Sequence, residues 1–317
     1  MTTIRTLRFH EVGEPAAVLR LDHIDVPTPD AGRIRAVVHA CGLNPADWAL
    51  CRGLFPGLLP RGIGLEVSGI VDAVGEGVTD VAPGDRVMGT ADFAGGTSAG
   101  AAERAIMNHW AKVPADLDLV QAAALPMAVV TAFSTLEALG VTAGQLVLIH
   151  GAGTTVGFAA VQLALLRGAR VIATAGETYA ERLRALGAKV TSYGEGMVER
   201  VAEIAGGPVE LALDTAPVSG VLPDLVRIVG GDPRRVFTIV DFAAAAKLGA
   251  RHTFGEGEAR RARYDVLGEF VQRAAEGKLT VPIARTFALE DWREALAISQ
   301  SGHARGKLVL LPDGAAA

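Results

Sequence analysis

The sequence predicts an α/β protein with a β-rich, barrel-type first part and a doubly wound parallel sheet after it. Residues 1–124 contain short apolar segments separated by glycine and proline, which is typical of a barrel. From residue 146 onwards, strand-like apolar segments alternate with segments of helical spacing. A parallel sheet with helices on both faces requires that alternation.

Composition limits the classes of function. The chain has 317 residues, enough for two domains, and half of them are hydrophobic, so a large core is available. The net charge is −5 without a basic block, which argues against nucleic acid or an anionic membrane as a partner. Cys41 and Cys51 form neither a disulfide framework nor a zinc cluster. Residues 1–12 lack the apolar segment of a signal peptide, so we expect a cytoplasmic protein. We expect the two cysteines to be ordinary half-buried thiols.

The first part is predicted to be built from short strands and turns. A strand is expected at residues 33–40, and two short strands are expected around Gly69 within residues 64–77. A glycine turn at residues 74–78 and a Pro-Gly turn at residues 81–89 separate these strands from the next.

The second part is predicted to alternate strands with helices. Two helices, at residues 119–124 and 129–139, precede it. The predicted strands are 146–149, 170–174, 210–214 and 235–240, and the predicted helices are 156–166, 179–186 and 223–229. The chain then continues with a helix at 261–276, strands at 281–288 and 308–311, and a helix beginning near Leu289, which we expect to return to the first domain.

A glycine turn at residues 151–157 joins the strand 146–149 to the helix that follows. Strand, turn and helix N-terminus together are how open α/β folds hold a pyrophosphate. Gly151, Gly153 and Gly157 are spaced two and then four apart, whereas the usual fingerprint is two and then three. Thr154 lies midway between Gly151 and Gly157. If that position requires a positive φ, strain of about 1–3 kcal/mol is expected, and alternatively the hydroxyl binds a phosphate oxygen.

Several motifs in a fixed order resemble one known family. They are Gly42-Leu-Asn-Pro-Ala-Asp-Trp48, Gly64-Leu-Glu-Val-Ser-Gly-Ile-Val-Asp-Ala-Val-Gly-Glu-Gly-Val78, Pro83-Gly-Asp-Arg-Val87, Ala122-Ala-Ala-Leu-Pro126 with Thr131-Ala132, and Ser301-Gly-His-Ala-Arg-Gly-Lys-Leu-Val309. With these motifs the chain resembles, almost end to end, the zinc-independent quinone-oxidoreductase-like branch of the medium-chain dehydrogenase/reductase superfamily.

The resemblance implies a fold and an activity. It implies a GroES-like catalytic domain from residues 1–124 and 260–317, and a Rossmann dinucleotide-binding domain from residues 125–259. The family transfers a hydride from NAD(P)H to a quinone or an α,β-unsaturated carbonyl, and most of its members are homodimers or higher oligomers. The apolar residues 53–59 favour a hydrophobic substrate.

A catalytic zinc is not expected. Zinc-dependent members of the superfamily place a cysteine where this chain has Asn44, and a histidine where it has Leu65. Asparagine and leucine are not usual zinc ligands, and the cysteine-rich structural zinc lobe is missing.

NADPH is the predicted cofactor. The second Rossmann strand ends at residues 173–176 without the carboxylate that binds the ribose of NAD. Tyr193 matches a tyrosine that the family places near the 2′-phosphate. The lysine and the serine that the family places near the 2′-phosphate align with Tyr179 and Gly176 of this chain. Either Arg182 or Arg184 takes the place of the lysine, or both arginines are solvated charges on the helix.

The predicted cofactor contacts combine these positions with others that the resemblance implies. They are Thr131, Gly151, Gly153, Thr154, Thr155, Val156, Gly157, Thr174, Gly176, Tyr179, Tyr193 and Val240.

The predicted catalytic residues are Asn44, Asp47 and Trp48. The Asn44 amide is expected to hold a ribose or substrate oxygen. Asp47 is either a proton relay or a residue that orders the turn at 44–48 through backbone hydrogen bonds. Trp48 either lines the pocket or belongs to the core. No residue stands out as the proton donor, so water is expected to serve.

Other polar residues are expected to be structural. His150 ends a buried strand and is interpreted as a core histidine, and His303 and Arg305 as parts of the closing motif. Asp241 either meets a ligand or caps the helix at residues 242–248.

Two other functions fit the same scaffold. The altered glycine turn and the missing phosphate partner would suit a cyclase, lyase or isomerase that performs no net redox reaction. A redox-silent nucleotide-binding protein would bind the dinucleotide without turnover.

Overall fold

The structure is a computed structural model that describes residues 3–93, 98–255 and 262–312. The chain forms two compact units, Met1–Met127 with Tyr264–Ala317, and Ala128–Arg263. The first crossing between them follows Met127, where the sequence placed it after residue 124. The predicted boundary at residues 259/260 lies outside the described residues.

The first unit is built mainly on antiparallel strands, with one parallel pair formed by its last two strands. Its strands are β1 (Thr3–Phe9), β2 (Leu19–Asp25), β3 (Ile34–Leu43), β4 (Arg61–Gly62), β5 (Glu66–Val74), β6 (Arg86–Ala91) and β7 (Arg104–Lys112), with β14 (Ile283–Ala288) and β15 (Lys307–Leu311) from the end of the chain. β1 pairs with β2 and β4. β3 pairs with β5, β5 with β6, β6 with β7, and β7 again with β3, which closes these four strands into a ring. The ring is the predicted barrel.

Gly69 lies inside a continuous strand, so the prediction of two short strands around it is wrong. β5 runs unbroken from Glu66 to Val74. A Cβ at Gly69 would lie 2.0 Å from the carbonyl oxygen of Val37, so the glycine lets β3 approach closely. The register of β3 on β5 shifts between Val38 and Ala40, beside this approach.

Short helices accompany these strands in the first unit. They are α1 (Pro15–Val18), α2 (Pro45–Cys51), α3 (Leu119–Ala123), α10 (Leu267–Ala275) and α11 (Trp292–Gln300), and α4 (Pro126–Leu139) begins here and continues into the second unit. The helix predicted over 261–276 is shorter than expected. A 3₁₀ turn at Tyr264–Val266 precedes α10, and residue 261 lies outside the described residues.

The second unit contains one parallel sheet. Its strands are β8 (Leu146–His150), β9 (Arg170–Thr174), β10 (Lys189–Thr191), β11 (Leu211–Asp214), β12 (Val236–Thr238) and β13 (Arg251–His252). Its helices are α5 (Thr155–Leu166), α6 (Glu177–Ala185), α7 (Met197–Ala205), α8 (Leu222–Ile228) and α9 (Phe242–Leu248). In the described residues the strand order is β10-β9-β8-β11-β12-β13. This is a doubly wound parallel sheet, the class of sheet that the sequence predicts.

The strand order reverses between β8 and β11. This reversal indicates where on the sheet a ligand is expected to bind. In open α/β sheets, ligands bind outside the carboxyl ends of the strands at such a reversal. β10, α7 and β13 are not predicted from the sequence. None of the described helices has the length and apolar character that crossing a membrane demands.

Replacing Gly69 by alanine tests the close approach of β3 and β5. The added Cβ has no room beside the Val37 carbonyl, so we expect Gly69→Ala to destabilise the fold by about 3 kcal/mol. Gly268→Ala is the matched control, because nothing lies within 4 Å of that Cβ position in α10. We expect the control to stabilise the protein by about 0.5 kcal/mol. Urea unfolding of both variants measures this, and equal effects would contradict the close approach.

Candidate functional site

The glycine turn after β8 has two positions that only glycine can occupy. Gly151 has a φ of +76°, and a Cβ there would lie 2.5 Å from the amide nitrogen of Ala216. A Cβ at Gly157 would lie 2.3 Å from the carbonyl oxygen of Gly151. Gly153 is different, because its nearest neighbour would be an ordinary contact at 3.6 Å from Tyr179 Cδ2. The fold of the turn therefore requires glycine at 151 and 157, but not at 153.

Thr154 adopts an unstrained conformation. Its φ of −75° and ψ of 162° are extended, so the strain considered from the sequence is absent. Thr154 is the N-cap of α5, and its Oγ1 accepts a hydrogen bond from the Gly157 N–H at 3.0 Å. The same hydroxyl donates to Thr215 Oγ1 at 3.1 Å. A phosphate oxygen would have to compete with Thr215 for this hydroxyl proton.

The first turn of α5 fits a phosphate group. The first N–H groups of a helix have no partner within it, and the helix dipole favours negative charge there. Thr154 already accepts the N–H groups of Gly157 and Phe158, through its hydroxyl and its carbonyl. Thr155 and Val156, the first two residues of α5, point their N–H groups out of the helix end. The site has the donors that a pyrophosphate needs.

Hydroxyl groups and one histidine brace the turn from beneath. Thr174, which is fully buried, accepts the Gly151 N–H at 3.2 Å and contacts His150 Nδ1 at 2.8 Å. Thr215 donates to the carbonyl oxygen of His150 at 2.9 Å. Thr174 therefore supports the turn, although the sequence predicted a direct cofactor contact. His150 is only 4% exposed, and burial lowers its pKa to about 4.

Asp214, Thr215 and Thr238 were not singled out from the sequence. Asp214 ends β11, accepts Thr238 Oγ1 at 2.8 Å and the Ala216 N–H at 3.2 Å, and burial raises its pKa to about 6. A polar residue at the carboxyl end of an apolar strand was the signal that could have found them.

The positions predicted for the adenosine end lie around the start of α6. Gly176 is the N-cap of α6, and Tyr193, which is 60% exposed, has its phenol oxygen 3.8 Å from the Cβ position of Gly176. Tyr179 is buried and packs edge-on against Phe158. Arg182 lies over the Phe158 ring at 5.2 Å, so its guanidinium packs on the aromatic pair.

The remaining predicted contacts of the second unit are half-buried. Thr131 lies on α4, and its carbonyl oxygen accepts the Thr135 hydroxyl. Val240 follows β12 and donates its N–H to Thr238 Oγ1 at 3.2 Å. Asp241 caps α9 by accepting the Ala244 N–H at 3.0 Å, which is the structural alternative considered from the sequence.

In the first unit, Asp47 is fully buried and fastens two segments. Its carboxylate accepts the backbone N–H groups of Asn44 at 2.7 Å, Gly64 at 2.8 Å and Leu65 at 3.0 Å. Burial raises the pKa of Asp47 to about 7, although these N–H groups favour the ionised form. Residues 45–51 form α2 rather than the predicted turn, and Asp47 fixes the start of this helix by accepting the N–H of its N-cap, Asn44.

Trp48 lies in the core. It is 2% exposed within the hydrophobic cluster of the barrel, and its Nε1 donates to Ser299 Oγ at 2.8 Å. Of the two roles considered from the sequence, this position favours packing over a pocket wall.

Asn44 belongs to a buried polar cluster that the sequence analysis missed. Its Oδ1 accepts a hydrogen bond from Lys307 Nζ at 2.7 Å, and its Nδ2 donates to Glu66 Oε1 at 2.9 Å. Glu66 and Lys307 form an ion pair, and both are almost completely buried. Both residues lie in motifs quoted above, and a charged residue at the start of a largely apolar strand was the available signal.

Both cysteines are fully buried, not half-buried as the sequence predicts. Desolvation raises the pKa of Cys51 to about 12 and that of Cys41 well above its usual value. In residues 3–93, 98–255 and 262–312, no three histidine, cysteine or acidic side chains are grouped as metal ligands.

The depressed pKa of His150 predicts that this residue's contribution to stability is lost in acid. The folded protein holds the ring neutral down to about pH 4, whereas the unfolded chain takes up a proton below about 6.5. The contribution of His150 to the free energy of unfolding therefore falls as the pH decreases through this window, by on the order of 3 kcal/mol. The raised pKa values of Asp47 and Asp214 act in the opposite direction over the same range, so the contribution of His150 is read from the difference between two variants. His150→Asn removes this contribution, so we expect wild type to lose stability relative to it as pH falls. Urea unfolding between these pH values checks this, with His303→Asn as the substitution control. A difference between wild type and His150→Asn that stays constant with pH would contradict it.

Comparisons with known proteins agree with the geometry. Residues 30–117 match the alcohol dehydrogenase GroES-like domain family, and residues 186–310 match the zinc-binding dehydrogenase family. The quinone oxidoreductase of Sus scrofa is 38% identical over 181 residues, covering 56% of this chain and 53% of that protein. The erythronolide synthase EryA2 of Saccharopolyspora erythraea is 44% identical over 170 residues, which are 51% of this chain and 4% of that protein.

A solved structure is similar over nearly the whole chain. The quinone oxidoreductase from Coxiella burnetii superimposes with a TM-score of 0.81 at 27% sequence identity, covering 98% of this chain and 100% of that one. The curated quinone oxidoreductases, by contrast, are matched over only about half of their length. With its GroES-like and Rossmann domains, the chain belongs to the medium-chain dehydrogenase/reductase superfamily, in the quinone-oxidoreductase-like branch.

Proposed function

We propose that this protein is an NADPH-dependent reductase that transfers a hydride to a quinone or an α,β-unsaturated carbonyl without a metal. The observation that carries the proposal is the turn of the second unit, where glycines at 151 and 157 and the N-terminus of α5 form a cradle for a pyrophosphate. Relatives named quinone oxidoreductase support the reaction class. We further propose a homodimer, by resemblance, and a cytoplasmic location, because the two cysteines form no disulfide framework.

Gly153 supports a ligand at the turn more directly than its neighbours do. Its backbone is not among the positive-φ glycines, and a Cβ there would meet only an ordinary contact at 3.6 Å. The fold therefore gives no reason for glycine at this position. Close approach of a pyrophosphate to the backbone would supply one.

The end of β9 favours NADPH over NADH. Residues 174–176 carry no carboxylate that would repel a 2′-phosphate, and Gly176 leaves the adjoining surface open beside Tyr193. Arg200 donates to the carbonyl oxygens of Glu195 at 2.7 Å and Ser192 at 3.1 Å, and so holds the loop that carries Tyr193. We propose that Tyr193 contacts the 2′-phosphate.

Zinc independence is proposed from the donor chemistry of the first unit. Leu65 offers no donor atom, and it is 2% exposed in the barrel core. The Asn44 amide is already bonded to Lys307 and Glu66. Polarisation of a substrate oxygen would then come from hydrogen bonding, for which Asn44 is the proposed donor.

The chemistry asks little of the protein beyond positioning. When bound, NADPH supplies the hydride, which adds to the acceptor, and a proton from water completes the reduction. Asn44 would hold the acceptor oxygen. Asp47 would keep the backbone of residues 44–47 and 64–65 in place rather than relay a proton, because all three of its hydrogen bonds go to backbone N–H groups.

Binding and turnover together test the proposal. NADPH and NADH are titrated against the purified protein by nicotinamide fluorescence, and 1,4-benzoquinone and a simple enone are then added. We expect tighter binding of NADPH and loss of nicotinamide absorbance with at least one acceptor. Binding without oxidation would favour the redox-silent alternative. Binding of neither nucleotide would favour a non-redox cyclase, lyase or isomerase.

Two glycine variants separate ligand approach from folding. We expect Gly153→Ala to keep the melting temperature of wild type but to weaken NADPH binding about tenfold, through contact of the methyl group with the pyrophosphate. We expect Gly157→Ala to lower the melting temperature, because its Cβ would lie 2.3 Å from the Gly151 carbonyl. Thermal unfolding without nucleotide and fluorescence titration measure the two effects. Wild-type affinity in Gly153→Ala would contradict a pyrophosphate at this turn.

A further inference from the structure

An ion pair inside the first unit touches the candidate catalytic residue at both ends of its amide. Glu66 is 0% and Lys307 1% exposed. Removing a carboxylate and an ammonium from water costs several kcal/mol each, and a well-packed apolar pair often replaces such ions without loss of stability. Stability is therefore a weak reason for these charges. Their shared partner, Asn44, offers another.

Three adjoining strands bring these side chains together. Glu66 begins β5, Lys307 begins β15, and Asn44 directly follows β3. β3 lies between the other two strands, with Gly42 opposite Glu66 and Leu43 opposite Leu308. The register alone therefore places Asn44 beside both charges.

The charges dictate which way the Asn44 amide points. Lys307 can only donate, so it requires the amide oxygen, and ionised Glu66 can only accept, so it requires the amide nitrogen. A flipped amide would turn its oxygen toward the carboxylate and its NH₂ toward the ammonium. Glu66 itself is fixed by the Met127 N–H, which donates to its other oxygen at 2.7 Å.

We propose that Glu66 and Lys307 are positioning residues that fix the orientation of the Asn44 amide for the acceptor oxygen. This inference rests on the proposed function. One N–H of the amide goes to Glu66, and the other has only a long contact of 3.5 Å with the Gly42 carbonyl. That second N–H is the group available to a carbonyl oxygen of the acceptor. The pair thereby selects substrates that present an oxygen for a hydrogen bond.

A mutant cycle with Asn44 tests the inference. Lys307→Met alone would leave Glu66 charged and unpaired, so the test variant is Glu66→Gln/Lys307→Met, which removes both charges together. It is made in wild type and in Asn44→Ala, and kcat and KM are measured with NADPH and the better acceptor. We expect the charge-free pair to lower kcat at least tenfold in wild type with little change in the KM for NADPH. In Asn44→Ala we expect less than a twofold further loss, because the residue that the pair positions is gone.

Glu66→Asp is the second variant, and it keeps both charges while withdrawing the carboxylate from Asn44. We expect a lower kcat, and also a lower melting temperature, because the shorter side chain withdraws from Lys307 and from the Met127 N–H as well. Measured below its melting temperature, this variant decides the matter if the charge-free pair does not fold. Lys307→Arg, which retains a donor for the Asn44 oxygen, should keep most of the activity that the charge-free pair loses. Wild-type kcat in folded Glu66→Gln/Lys307→Met or Glu66→Asp, or an undiminished loss in the Asn44→Ala background, would overturn the inference. An inactive wild type would instead overturn the proposed function, and this inference with it.

Discussion

The buried ion pair between Glu66 and Lys307 is the interaction on which the polar interior of the first unit depends. Neither charge could remain there alone, because an unpaired buried ion costs several kcal/mol. Each is satisfied by the other and by Asn44, and Glu66 also by the Met127 N–H. A shift of any one of these groups would leave another unsatisfied. The cluster therefore holds the segment after β3 in one arrangement.

Asp47 restrains the same segment independently. Its carboxylate binds the backbone of Asn44 on one side and of Gly64 and Leu65 on the other. Glu66 follows directly in sequence, so the backbone network and the ion pair reinforce each other. Networks that are satisfied in this way specify a unique geometry, which a residue contacting substrate needs more than additional stability. The turn of the second unit is braced by neutral groups instead, the hydroxyls of Thr154, Thr174 and Thr215.

The sequence predicted features that depend on local patterns. The strand at 146–149, the helix after it and the parallel alternation follow from periodicity, and the structure confirms them. Features that depend on register could not be read in this way. Lys307 and Asn44 are 263 positions apart, and only the pairing of β15 with β3 brings them together. β10 and β13 have three and two residues, too few for an alternation to be visible. The sequence predicts a break at Gly69 because a glycine that admits a neighbouring strand looks the same in sequence as one that ends a strand.

Thr154 shows why counting glycines is a poor measure of a nucleotide turn. Glycine is needed where φ is positive or where a Cβ has no room, and these conditions hold at 151 and 157. At 154 the backbone is extended, so a β-branched residue costs nothing there, and its hydroxyl caps α5 in addition. The residue that departs from the family pattern therefore strengthens the helix end instead of straining it. The non-redox interpretation relied on the threonine at 154, which the structure now explains. Its remaining support is the missing basic partner for the 2′-phosphate. That absence concerns the choice between NADPH and NADH more than whether a dinucleotide binds.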